Sequence, residues 1–217
     1  MSRNAIIAGA TGLVGAELLK LLIKSQSYDK ILVLNRKEVK FDSPKVIGHV
    51  IDFDKLDEFD PGVKIDDVFC CLGTTIKKAK TKENFRKVDF DYVVGLAKKS
   101  KDWNASKFLV ISSLGANTKS GIFYSRVKGE MENTLQKLDL PHLFIFRPSL
   151  LMGDRNESRP GEKTAIMVYK VINPLFFGKL KKYKGIKIEK VAKAIIETAI
   201  HSEDTFKIFE SDEIQGY

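Results

Sequence analysis

The stretch YSRVK sets Tyr124 and Lys128 four positions apart, on one face if the segment is helical. A phenol and an ammonium at that spacing make a proton-transfer pair. A free phenol titrates near ~10 and is a poor base at neutral pH. An ammonium about 4 Å away is worth roughly 4 kcal/mol at an effective dielectric of ~20. That is on the order of three pKa units, before burial takes part of it back. A tyrosine so placed can pass a proton to or from a carbonyl or alcohol oxygen while hydride moves to or from a nicotinamide. Ser112 and Ser113 end an apolar run shortly upstream. A hydroxyl there can hold the substrate oxygen beside the phenol. Successive strand residues face opposite ways, so one serine should face the crevice and the other away from it. The same tyrosine–lysine spacing recurs at Tyr183 and Lys187. That pair lies in a lysine-rich stretch with a glycine between its members and reads as a chance match.

Chemistry of this kind needs a cofactor, and the stretch IAGATGLVGAEL (7–18) offers a place for one. Glycine inside an element costs roughly 0.5–1 kcal/mol relative to alanine. Gly9, Gly12 and Gly15 fall between an apolar run and a helical pattern, where a dinucleotide fold turns sharply and approaches a pyrophosphate. Gly9 suits the tight turn, Gly12 a close approach of backbone to ligand, and Gly15 the packing of helix on strand. The expected cofactor contacts here are Gly9, Thr11, Gly12, Leu13, Val14 and Gly15, with the helix N-terminus facing phosphate. An acidic residue at the end of the second strand would bind the ribose hydroxyls of NAD. This chain has Asn35, Arg36 and Lys37 there. A guanidinium can hold a 2′-phosphate bidentately, so NADP(H) is expected over NAD(H). Asp52 and Phe53 close the third strand, at the adenine edge. Leu72, Gly73, Thr74 and Thr75 close the fourth, where the nicotinamide ribose would pass.

The elements that must position these groups alternate. Short apolar runs at 5–10, 30–36, 46–52, 66–73, 107–113, 142–148 and 205–211 read as strands. Helical patterns cover 13–25, 81–101, 123–138 and 188–201, and 81–101 reads as one long helix. Strands apolar throughout imply burial on both faces, and intervening helices imply right-handed crossovers. The expected fold class is α/β: a doubly wound parallel sheet of the Rossmann type, helices on both faces, one domain over 1–217. Residues 149–187 read as an irregular substrate-side excursion within it. The charged stretch RNESRPGE (155–162) suits a surface loop or a lid.

Composition limits the partners. The chain has 217 residues, 43% hydrophobic and 30% charged, which is enough to bury a core. Its net charge of +9 is concentrated at 77–87 and 179–187. No zinc spacing, RNA-binding aromatic signature or recognition helix accompanies it, so the lysines read as solvated faces and nucleic acid is not expected. The apolar runs are too short for a membrane span, and no membrane partner is expected. Cys70 and Cys71 are adjacent and read as buried strand thiols. With no secretory leader visible, the expected compartment is cytoplasmic. His49, His142 and His201 are scattered, so no metal site is expected. Trp103 reads as packing.

Taken together, GATGLVG, CCLGTTIKKA, KVDFDYV, VISSLGA, FYSRVKGEME and FRPSLLMGDRNESRPGE resemble the atypical short-chain dehydrogenase/reductases, in the branch of Tat-interacting-protein-like oxidoreductases. The resemblance implies acid/base catalysis by Tyr124. It implies ribose binding and tuning of the phenol by Lys128, and substrate orientation by Ser113, with Ser112 as runner-up. It also sets Arg147, Pro148 and Ser149 beside the nicotinamide. A small-molecule substrate follows, and by family analogy a homodimer. The helix asparagine of standard members has no counterpart here; KVDFDYV offers Asp89 instead. Two other readings stand beside the oxidoreductase: an NADPH-sensing regulator without turnover, and a sugar-nucleotide epimerase or dehydratase.

Overall fold

The structure is a computed structural model that describes residues 2–152 and 184–217. Seven strands form one sheet: β1 (Arg3–Ala8), β2 (Tyr28–Asn35), β3 (Val46–Val50), β4 (Asp67–Cys70), β5 (Lys107–Ile111), β6 (Leu143–Arg147) and β9 (Phe206–Glu210). All neighbours pair parallel, in the order β3-β2-β1-β4-β5-β6-β9. The order reverses between β1 and β4, which opens a crevice at the carboxyl ends of those strands.

Apolar strand sequence becomes burial on both faces. Ala5 and Ile7 of β1 join the core on one side, packed on α1 (Leu13–Lys24) and α6 (Ile188–His201). Ile6 and Ala8 join the core on the other, under α4 (Tyr92–Asp102) and α5 (Phe123–Gln136). Leu18 and Leu22 of α1 meet Val191 and Ile195 of α6 within the first core. The outermost strand is different: Ile47 and Val50 of β3 are exposed, because an edge strand is covered less completely.

The sequence reading of one helix over 81–101 is corrected. Thr81 caps a short α3 (Lys82–Arg86), its hydroxyl accepting the Asn84 N–H at 3.1 Å. One π-helical turn follows over Lys87–Asp91, and α4 begins at Tyr92. Backbone angles at the junctions stay in the right-handed helical region, so the backbone runs on as a helix although the π turn adds a residue. Other short elements lack any apolar rhythm. A 3-10 helix runs over Phe53–Glu58, α2 spans Ile76–Ala79, and α7 (Ser211–Ile214) starts with a reciprocal Glu210–Glu213 capping box. The 149–187 excursion has stems that pair: β7 (Leu151–Met152) lies parallel to β8 (Ile186–Lys187). RNESRPGE and Tyr183 lie outside the described residues. Trp103 packs edge-on against Phe59, ring centroids 5.9 Å apart.

Candidate active site

A cleft of about 990 Å³ lies along the carboxyl ends of the central strands. Thr11 to Gly15 form one part of its wall and Leu72 to Thr75 another. Two glycines make that wall possible. Gly9 has φ +87°, and a Cβ there would sit 2.4 Å from the Cys71 carbonyl oxygen. It therefore serves the turn and presses the loop onto the end of β4, beneath the cleft. A Cβ on Gly15 would fall 2.2 Å from the Gly9 carbonyl oxygen, so this glycine fits the helix to the loop more than to the strand. Gly12 caps α1 without a side-chain hydrogen bond, and no acid occupies the first turn. The positive end of α1 is left to the cleft.

Tyr124 and Lys128, both from α5, line the same cleft. Tyr124 is half-buried, its ring 5.5 Å from that of Phe85. Lys128 Nζ pairs with Asp89 Oδ1 at 2.8 Å, the two side chains only 4% and 1% exposed. The second Asp89 oxygen accepts the Thr74 N–H at 2.8 Å. Burial pushes the Lys128 ammonium toward losing its proton. The Asp89 carboxylate, with smaller help from Tyr124 and Cys70, outweighs it, and the net direction is upward. Asp89 was seen in the sequence only as a departure from the family pattern. A sharper signal was present: counting back from Val93, Leu96 and Ala97 puts this acid on the buried stripe of the helix.

Ser112 and Ser113 lie just beyond β5 and both line the cleft, so the expected strand alternation does not separate them; their hydrogen bonds differ. Ser112 is buried and its hydroxyl donates to Glu132. Ser113 is half-buried in the cleft wall, and among the described residues its hydroxyl makes one bond, 3.3 Å to the Leu114 carbonyl. Ser113 has the freer hydroxyl of the two, whereas Ser112, which also lines the cleft, has its hydroxyl committed to Glu132 of α5. Arg147 is also corrected. Its Nε lies 3.0 Å from one Glu132 oxygen and 3.2 Å from the other, and Nη1 reaches Glu210 at 2.7 Å. These bonds, Glu132 foremost, hold its guanidinium above its usual range and leave it no cleft role. Pro148 and Ser149 do line the cleft. The Ser149 N–H donates to Ser211 Oγ at 3.1 Å.

The remaining expected cofactor residues, Asn35, Arg36, Lys37, Asp52 and Phe53, are not among those lining the cleft, and Phe53 lines a separate depression with Asp54 and Tyr92. Asn35 is buried at the end of β2, and Arg36 and Lys37 are exposed just beyond it. Asp52 spends a carboxylate oxygen on the Asp54 N–H at 3.0 Å. Phe53 is buried against Tyr92, ring centroids 5.3 Å apart. Leu114, Leu150, Leu151 and Ile188 add apolar lining to the cleft that the motifs do not mark. Cys71 forms part of its floor, and burial raises both thiols, Cys70 to about 12. Among the described residues no three His, Cys, Asp or Glu side chains converge as metal ligands, and no helix is long and apolar enough to cross a membrane.

The sequence profile of the HIM1 family matches residues 37–184. Protein HTATIP2 of Rattus norvegicus is 39% identical over 165 residues, spanning 74% of this chain and 68% of that one. A Meyerozyma guilliermondii protein named FMP52, mitochondrial, is 33% identical over 200 residues, or 91% of this chain and 85% of the other. Among solved structures, the Bordetella bronchiseptica enzyme WbmH in complex with NAD+ superposes with a TM-score of 0.72 at 16% identity, covering 97% of this chain and 76% of that one. Human epimerase family protein SDR39U1 with NADPH superposes with a TM-score of 0.65 at 13% identity, covering 95% and 74%. These two share the fold. The mitochondrial names of several fungal relatives overturn the cytoplasmic expectation. That expectation rested on the lack of a secretory leader and on cysteine usage, and neither separates cytosol from mitochondrion.

Proposed function

The chain belongs to the HIM1 family, and on that premise we propose that it is an NADP(H)-dependent oxidoreductase acting on a small carbonyl or alcohol. One observation carries the reading: a single cleft joins the bare N-terminus of α1 to Tyr124, Lys128 and Ser113. The residues present fit a dinucleotide. Side chains at Gly9 and Gly15 would collide with backbone, so the loop stays low, and no carboxylate in the first turn opposes a phosphate. Backbone N–H groups of the α1 first turn would face the pyrophosphate, and Lys128 the nicotinamide ribose. Arg36 would take the 2′-phosphate from beyond the end of β2. A bound nicotinamide supplies or accepts the hydride. Ser113 orients the substrate oxygen, and Tyr124 gives that oxygen its proton or removes it.

The test is calorimetric titration of the purified protein with NADPH and NADH at matched salt. NADPH is expected to bind tighter, and Arg36→Asp to cost it ten- to a hundredfold, the range of roughly 1.5–3 kcal/mol for a charge-assisted hydrogen bond. Absence of binding by either nucleotide would overturn the reading. Equal binding of both would remove the Arg36 clamp alone. Binding with no turnover across a broad panel of small carbonyls would favour a nucleotide-sensing regulator.

A further inference from the structure

Resting on the dinucleotide reading of this cleft, we infer that Asp89 is a positioning residue. Its carboxylate ties the Lys128 ammonium to the loop after β4 and supplies the counter-charge without which that buried ammonium would not stay ionised. Three elements meet at this carboxylate. The π-helical turn provides Asp89, α5 provides Lys128 Nζ at 2.8 Å, and the loop after β4 provides the Thr74 N–H at 2.8 Å. Each oxygen serves a different element, so the carboxylate fixes the spacing between two walls of the cleft. Gly73 lies over the pair: a Cβ there would stand 3.4 Å from Asp89 Oδ1 and 3.9 Å from Lys128 Nζ.

The energetic argument is one of desolvation. An ammonium out of water is costly unless paired, and removing one partner of a buried pair leaves the other uncompensated. The groups facing Lys128 are Asp89 from the π turn, the Tyr124 phenol from α5 and the Cys70 thiol from β4. The thiol, pushed up to about 12 by burial, is neutral at working pH. Asp89 is the carboxylate among them and bonds the ammonium directly, at 2.8 Å. Asp89→Asn keeps the shape and an acceptor but removes the carboxylate charge. Burial then pulls the Lys128 ammonium downward, into an accessible pH range.

The inference predicts two slopes of opposite sign in Asp89→Asn. A lysine whose folded pKa is depressed binds fewer protons in the native state than in the unfolded chain, so stability rises with pH. The deficit in urea midpoint relative to wild type should be largest at pH 7 and narrow toward pH 9.5. NADPH affinity, which needs the charged ammonium at the ribose, should fall at least tenfold over the same range. In wild type both quantities should stay nearly flat. In Asp89→Asn/Lys128→Met both slopes should vanish, which assigns them to Lys128.

A deficit and an affinity loss that ignore pH would mean a merely structural role and overturn the inference. Should the wild type bind no dinucleotide while the stability deficit still narrows with pH, the functional reading fails and the counter-charge role stands. If Asp89→Asn does not fold at pH 7, the double variant carries the test. It folds if the fault is the unpaired ammonium, and stays unfolded if the shape of Asp89 is what matters.

Discussion

Two buried carboxylates sit at opposite ends of the sheet, each shared between one cation and one neutral donor. At the carboxyl end, Asp89 takes Lys128 and the Thr74 N–H. At the amino end, Asp67, the first residue of β4, takes Arg3 at 2.5 Å and the Tyr28 hydroxyl at 2.6 Å. The charge logic is the same and the surroundings differ. Around Asp67 every donor is committed: Arg3 also bonds the Ala199 carbonyl at 2.8 Å, and Tyr28 is wholly buried against Phe69. Around Asp89 the cation lies in the wall of a large cleft, one helical turn from a half-buried phenol. The closed triad joins β1, β2 and β4, whereas the open one leaves its cation in the wall of a cleft. Each end also has its tyrosine, so the same deletion, phenol to phenyl, can be made at both.

The largest effect is expected from Tyr124→Phe. Loss of a positioned acid/base costs typically 10²–10⁴-fold, so kcat/KM should fall by about that factor on any carbonyl the wild type reduces. NADPH affinity and the urea midpoint should hardly change, because this hydroxyl supports no described hydrogen bond of the fold. Undiminished turnover would remove Tyr124 from the chemistry and leave the two ends of the sheet alike.

What the sequence made legible follows from what produces a periodic signal. The central strands and α6 could be read because burial on two faces, or along one stripe, writes itself into residue order. The glycine loop could be read because steric demands at Gly9 and Gly15 admit almost no other residue. Tyr124 and Lys128 follow from helical spacing, but the strand alternation expected of Ser112 and Ser113 does not apply, because β5 ends at Ile111 and both serines line the cleft. Arg147 was misjudged because nothing local reveals its partners, which lie 15 and 63 positions away. The π turn was invisible for a related reason: it inserts one residue without breaking the helical backbone, and Asp89 reaches Lys128 from 39 positions away.

The closed triad should show itself as a pH effect. Burial raises the Asp67 carboxyl to about 6 despite Arg3 and the Tyr28 hydrogen bond, which both act downward. Its native pKa is therefore above the unfolded value of 3.8, and the native state holds the proton longer. Stability from this group is fully present below about pH 4 and is lost as pH rises through about 6, a change of about 3 kcal/mol. Other carboxylates contribute in the opposite sense, so the measurement is a difference. Urea unfolding of wild type and Asp67→Asn at pH 4, 5, 6 and 7 should show the gap between the two chains shifting by that amount in favour of the variant as pH rises. A constant gap would mean that Asp67 is ionised across the range and that the amino-end triad is an ordinary strong ion pair.

The smallest expected effect is also the most direct contrast with the carboxyl end. Tyr28→Phe removes a hydroxyl that burial and Asp67 together hold well above the usual phenol range, so it is a permanent donor and never an acid. Losing a hydrogen bond to a buried charged acceptor costs about 1.5–3 kcal/mol. The urea midpoint at pH 7 should fall accordingly, with kcat, KM and NADPH affinity unchanged, since the residue lies at the opposite end of the sheet from the cleft. The Tyr28 bond also holds the Asp67 carboxyl down, so without it that carboxyl should rise further. The loss of stability from this group should then extend to higher pH in the variant than in wild type. A loss of kcat comparable to that of Tyr124→Phe would show that strain at the amino end reaches the cleft along β4, whose first residue is Asp67 and whose last, Cys70, lies beside Lys128.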